Sequence, residues 1–144
     1  MTGLLFPVEP GGPLIQPWLG SAEDLVDAAS GQANVRWLRG SRMRTRQGLM
    51  DEWAAAAQLP PHFGGTWDAL RDALSDLVEG GTFLVLEAEQ LLQDAPPEEF
   101  QTLVAVLRVV REDLAPQPFQ LVLQSEGEHY RTLVEGVEAM DPGE

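Results

Sequence analysis

Asp68, Asp72 and Asp76 recur at every fourth residue of the stretch LPPHFGGTWDALRDALSDL, residues 59–77. On a helix this spacing stacks the three carboxylates along one edge. Such a row could do three kinds of chemistry. It could meet cations presented by a partner. Two of its acids could work as the acid and base of glycoside hydrolysis. One of them could orient His62, in the turn just ahead, as a general base. Glycoside hydrolysis needs a substrate cleft, and a helix edge on a small sheet offers little of one. A catalytic His62 needs a nucleophile or a metal set, and the sequence fixes neither beside it. His129, the other histidine, reads as a surface residue. No enzyme is expected. Spacing alone leaves cation recognition in competition with a solvated acidic face. Like charges four residues apart repel by about 0.2–0.5 kcal/mol per pair. Only Asp68, in the first turn, recovers part of that from the helix dipole.

The elements that must position these acids are a turn and the helix it opens. Pro60, Pro61, Gly64 and Gly65 punctuate the entry and cannot propagate a helix. Thr66 is an N-cap, its hydroxyl placed to accept a bond from a first-turn amide. Trp67, Leu70, Leu74 and Leu77 then form one apolar stripe that faces a core. Arg71, three residues after Asp68, is within reach of that carboxylate on the helix surface.

The run L-P-x-(aromatic or His)-F-G-x-x-x-D-A-L-x-D-x-L stands here as Leu59, Pro60, Pro61, His62, Phe63, Gly64, Gly65, Thr66, Trp67, Asp68, Ala69, Leu70, Arg71, Asp72, Ala73 and Leu74. It resembles the central segment of the barstar family, intracellular inhibitors of the secreted ribonuclease barnase. In that family this loop and helix enter the ribonuclease active site, and acidic side chains meet its basic groups. The resemblance therefore implies that Asp68 and Asp72 are the central charge contacts. His62, Phe63, Gly64 and Gly65 would shape the loop, with Phe63 turned to the core. Asp76, one turn further along, would contribute less. An acid on the family's later long helix adds an edge contact; its nearest match is Glu112, aligned with a one-residue gap and with Arg111 as rival. Two positions depart from the pattern: His62 replaces a contact aromatic, and Arg71 replaces an aromatic between the two aspartates.

Composition agrees with a partner that is basic. The chain of 144 residues carries a formal net charge of −14, and all nine of its cations are arginines. A surface of that sign repels nucleic acid and anionic membrane and favours basic proteins. Five arginines (Arg36, Arg39, Arg42, Arg44, Arg46) cluster early. No aromatic platform or glycine-rich phosphate loop accompanies them, so they read as internal partners for acidic helices rather than a nucleic-acid patch. There is no cysteine, which removes disulfides, thiolate metal sites and cysteine nucleophiles. No metal or cofactor motif is present: no P-loop, G-x-G-x-x-G, H-E-x-x-H or G-x-S-x-G. The N-terminus lacks the basic region of a signal peptide, and no apolar run approaches the ~20 residues of a membrane helix. A cytoplasmic protein is expected.

Along the chain, residues 1–20 are rich in Pro and Gly and read as an arm able to contribute an edge strand. Ser21 can cap a short helix through about Ala29, ended by Gly31. A strand is expected at Asn34 to Leu38, and a helix from about Thr45 to Gln58 with Leu49, Met50 and Trp53 inward. After the acidic helix, Glu79-Gly80-Gly81 makes a break. Thr82 to Leu86 reads as a buried strand, and Glu87 to Gln93 as a short helix. Phe100, Leu103, Val104, Leu107, Val110 and Leu114 mark the core face of a long helix. Phe119 to Leu123 is a third strand, and Glu128 to Ala139 a last amphipathic helix. Strands joined by helical crossovers imply an α/β protein with a small three-stranded parallel sheet packed with helices. The same order of elements occurs in the barstar fold. The expected division is an N-terminal arm and short helix (1–33), a barstar-like domain (34–125) and a C-terminal helical tail (126–144).

The function expected is that of a proteinaceous inhibitor occluding the active site of a basic ribonuclease or related basic toxin. The alternative is an interaction module that keeps the fold but serves a different partner. The arm and tail leave a homodimer open.

Overall fold

The computed structural model describes residues 13–30, 35–60, 63–77 and 81–140. His62, the expected helix stop Gly31, Asn34 and the pair Glu79-Gly80 lie outside the described residues. In chain order the elements are β1 (Ile15–Leu19), α1 (Ala22–Ala29), β2 (Val35–Arg39), α2 (Arg46–Ala57), α3 (Trp67–Ser75), β3 (Gly81–Leu86), α4 (Pro97–Leu114), β4 (Phe119–Ser125) and α5 (Glu128–Met140). Single 3-10 turns stand at Gly40–Arg42 and Ala88–Gln90. The second replaces the short helix expected over residues 87–93, because Glu87 and Leu92 both take left-handed backbone (φ 54° and 56°) that a continuing helix excludes.

All strands are parallel, in the order β1-β4-β3-β2. The sheet therefore has four strands and not the three expected. The Pro/Gly-rich arm supplies the extra one: β1 runs beside β4 from Ile15 opposite Leu121 to Leu19 opposite Ser125. This is the edge strand that the arm was expected to be able to contribute, and Pro17 interrupts its sequence, IQPWL. An outer position tolerates proline, since only one side of an edge strand needs its donors.

Both faces of the sheet are covered. On one, Leu38, Phe83, Val85, Phe119, Leu121 and Leu123 join Leu49, Met50 and Trp53 of α2, Leu70 and Leu74 of α3, and the apolar stripe of α4. Trp53 stacks on Phe83 with ring centroids 4.6 Å apart, within the range where aromatic pairs attract beyond simple burial. On the other face, Leu25 and Ala29 of α1 cover Leu84 and Val122. The front of the chain is thus built into the sheet on its second face. Side-chain caps start three helices as their sequences require: Ser21 Oγ accepts from the Asp24 amide, Thr45 Oγ1 from Gly48 and Thr66 Oγ1 from Ala69.

The central strands are apolar except at Thr82, Gln120, Gln124 and Ser125, and the two glutamines hold β1 in register. Gln120 Nε2 donates to Gln16 Oε1 at 2.7 Å. Gln124, only 2% exposed, donates to the Gly20 carbonyl at 2.7 Å and accepts from the Glu87 amide at 2.8 Å. Gln124→Leu is expected to keep the volume but orphan both backbone groups, at about 1–3 kcal/mol for each such group. Thermal denaturation should show a clear loss. An unchanged midpoint would mean that these groups find other partners.

Of the early arginines, Arg44 makes the strongest internal pairing. Its guanidinium grips Asp94 through Nε and Nη2 at 2.8 and 3.0 Å, and its Nη1 donates to Gln90 and Gln93. This hydrogen bond, with the charge behind it, holds the Asp94 carboxyl below its ordinary range against a smaller opposing effect of desolvation. The stabilisation is present above the unfolded carboxylate range and fades as pH falls through the lowered value.

Candidate functional site

The site begins where α2 ends. Gln58 turns the chain with left-handed backbone (φ 56°) while its amide and that of Leu59 close back on the last turn of α2. The Phe63 amide then donates to the Pro60 carbonyl at 2.9 Å. Gly65 has φ +72°, and a Cβ there would meet no atom within 4 Å, so the backbone conformation rather than space calls for glycine. Thr66 follows as the cap. These local choices bring the loop back along the side of α3.

The helix itself is held from beneath and at both ends. Leu70 and Leu74 are fully buried in the main core. At the N-terminal end, the Trp67 indole donates from Nε1 to Glu99 Oε1 on α4 at 3.0 Å. Arg46 of α2 stands 3.9 Å from the other oxygen of Glu99. At the C-terminal end, Ser75 Oγ donates to Asp113 Oδ2, also on α4, at 2.9 Å.

Between loop and helix lies an open recess of about 450 Å³. Pro60, Phe63 and Gly64 form one wall; Ala69, Asp72, Ala73 and Asp76 form the other. The floor and walls are mostly apolar, with two carboxylates one helical turn apart. Small side chains on the helix allow the approach: a Cβ at Gly64 would lie 3.7 Å from that of Ala69, ordinary contact distance. The recess can take a flat or slender group that carries positive charge and apolar faces.

Of the residues singled out in the sequence, Asp72, Asp76 and Gly64 are brought together here. Asp68 is exposed in the first turn of α3, outside the lining, and Gly65 shapes the loop without lining it. Glu112 is exposed in the last turn of α4, also outside the recess. Arg71 does not pair with Asp68 as expected. It folds over to Asp72, with Nη2 3.2 Å from Oδ1, and the two side chains keep 49% and 71% exposure. An ion pair so exposed contributes about 0–1 kcal/mol, which a competing cation can displace. Phe63 is half-buried against the core, as expected, and lines the recess as well. Sequence reasoning missed Glu99, Asp113 and the alanine wall. The alanines follow Asp68 and Asp72 at the same four-residue spacing, a signal that marks a face kept small. Among the described residues no group of three or more His, Asp or Glu side chains is gathered to hold a metal ion.

The family model described as Barstar (barnase inhibitor) matches residues 33–126. The chain belongs to the barstar family. The matched span contains the recess, α3, α4 and strands β2 to β4, while β1, α1 and α5 lie outside it. Barstar-family members are inhibitors rather than enzymes, and the family binds ribonucleases. No curated protein matches the chain. No helix among the described residues is long and apolar enough to cross a membrane.

Proposed function

We propose that this barstar-family protein inhibits a basic ribonuclease, or a related basic toxin, by occluding its active site with the loop after α2 and the acidic edge of α3. One observation carries the reading: the recess that pairs Asp72 and Asp76 with the apolar wall of Pro60, Phe63 and Gly64. Carboxylates of this kind take the place of substrate phosphates, and the loop excludes RNA by its bulk. Asp68 meets cations at the nearer rim, and Glu112 adds an edge contact from α4. The protein performs no chemistry of its own and acts in the cytoplasm as an immunity factor. It needs neither metal nor cofactor.

A second reading, an interaction module with a partner other than a ribonuclease, is favoured by Arg71. Its guanidinium already occupies Asp72, and a cation beside the basic groups of a ribonuclease is repelled. The partner must either displace Arg71 or supply an acid to meet it.

Titration of barnase and of other basic ribonucleases with purified protein, read as RNA cleavage, tests the proposal. Suppression near one-to-one stoichiometry is expected for the native target and weaker suppression for barnase, because Arg71 stands where that partner's cations would meet Asp72. The charge of −14 should also steer the encounter, so the association rate should fall about tenfold or more between about 20 and about 500 mM salt. A flat rate across that series would remove the steering. Turnover by the protein itself, abolished in Asp68→Asn or Asp72→Asn, would overturn the inhibitor reading.

A further inference from the structure

We infer that Glu99 is a positioning residue for the acidic helix: it fixes the roll of α3 through Trp67 and so sets the recess that the proposed inhibition uses. The inference rests on that reading for its functional consequence, but its structural core stands apart from it. A helix of nine residues has little stability or fixed orientation of its own. Burial of Leu70 and Leu74 holds α3 against the core, yet apolar contacts are non-directional and resist small rotations weakly. Recognition needs more than that. Ala69, Asp72, Ala73 and Asp76 form a single wall, so a small roll of the helix moves both carboxylates against Phe63 and Gly64.

Among the described residues two directional side-chain bonds resist that roll, one at each end of α3. The Ser75 to Asp113 bond is exposed. The Trp67 to Glu99 bond is part-buried, and its acceptor is 20% exposed. A bond to a charged acceptor away from bulk water is the stronger kind. Arg46 stands 3.9 Å from the other oxygen of the same carboxylate, which brings the start of α2 beside Glu99. One side chain on α4 thereby orients the helical wall of the recess through Trp67. Glu99 itself is not among the residues that line the recess.

The test combines hydrogen exchange of the free protein with dissociation kinetics from barnase. Trp67→Phe and Glu99→Met each remove the bond and keep the apolar volume. Each is expected to speed exchange of the α3 amides on the order of tenfold, the ratio that loss of one such bond gives, while sheet amides hold their protection. The double variant should add little to either single change, because both remove the same contact. Glu99→Gln retains an acceptor for the indole and should stay near wild type. Dissociation from barnase should quicken for the Phe and Met variants alone. Unchanged α3 exchange in Glu99→Met, equal acceleration in the sheet, or a Gln variant as fast as Met would overturn the inference. If wild type does not bind barnase, the binding arm counts against inhibition of that enzyme, and exchange alone decides the role of Glu99.

Discussion

Asp72→Ala should abolish tight inhibition and leave the fold intact. In the free protein the Asp72 side chain is 71% exposed and, among the described residues, shares a surface pair with Arg71, so its removal costs stability little. In the proposed complex it would be desolvated against the partner's cations. Truncation then leaves those cations buried and unpaired, which costs about 2–5 kcal/mol at interfaces, a scale set in part by the barnase–barstar pair itself. The loss corresponds to roughly 30- to 5,000-fold in affinity. Asp76→Ala, on the same recess, should also weaken binding, and Asp68→Ala less because it sits outside the lining. The order differs from the one the sequence suggests, where Asp68 and Asp72 form the centre. Inhibition constants for the three variants, with melting curves as control, decide between them. Small and equal losses from all three would return the row to a solvated acidic face.

What the sequence reveals about this site depends on how local each cause is. The cap at Thr66, the stripe through Leu70 and Leu74 and the glycine at position 65 each act within a few residues, and each appears as expected. The recess needs two segments laid side by side, and only the barstar resemblance brought the loop and helix together in advance. Glu99 and Asp113 escaped notice because their partners lie 32 and 38 residues away, and nothing in α4 marks those acids among its others. Strand β1 is legible only as an arm able to add an edge strand, because Pro17 interrupts it and its anchors Gln120 and Gln124 lie more than a hundred residues downstream. Arg71 illustrates a finer limit. Spacing rules place Asp68 within its reach, but a long exposed side chain can fold over its own neighbour, and the pair with Asp72 is what forms.

Leu74→Ala should do the reverse of Asp72→Ala, removing stability before affinity. Leu74 is fully buried in the core beneath the acidic row, two residues from Asp72 and two from Asp76. Truncation there leaves a cavity that the surrounding helices and sheet refill only in part, at about 2–5 kcal/mol. For a chain of this size that is a fall of roughly 10 °C in melting temperature. In urea the midpoint should drop while the slope stays constant, because the surface exposed on unfolding is the same. At a temperature where the variant is still folded, most inhibition should survive, since the carboxylates remain on a docked helix. The opposite pattern, an unchanged midpoint with binding lost, would show that α3 is not seated on the core before the partner arrives. The free energy of ordering it would then be drawn from binding, and Leu74 would count among the interface residues. A melting temperature well below wild type, with inhibition retained in the cold, instead identifies α3 as a preformed wedge whose rigidity is established before contact.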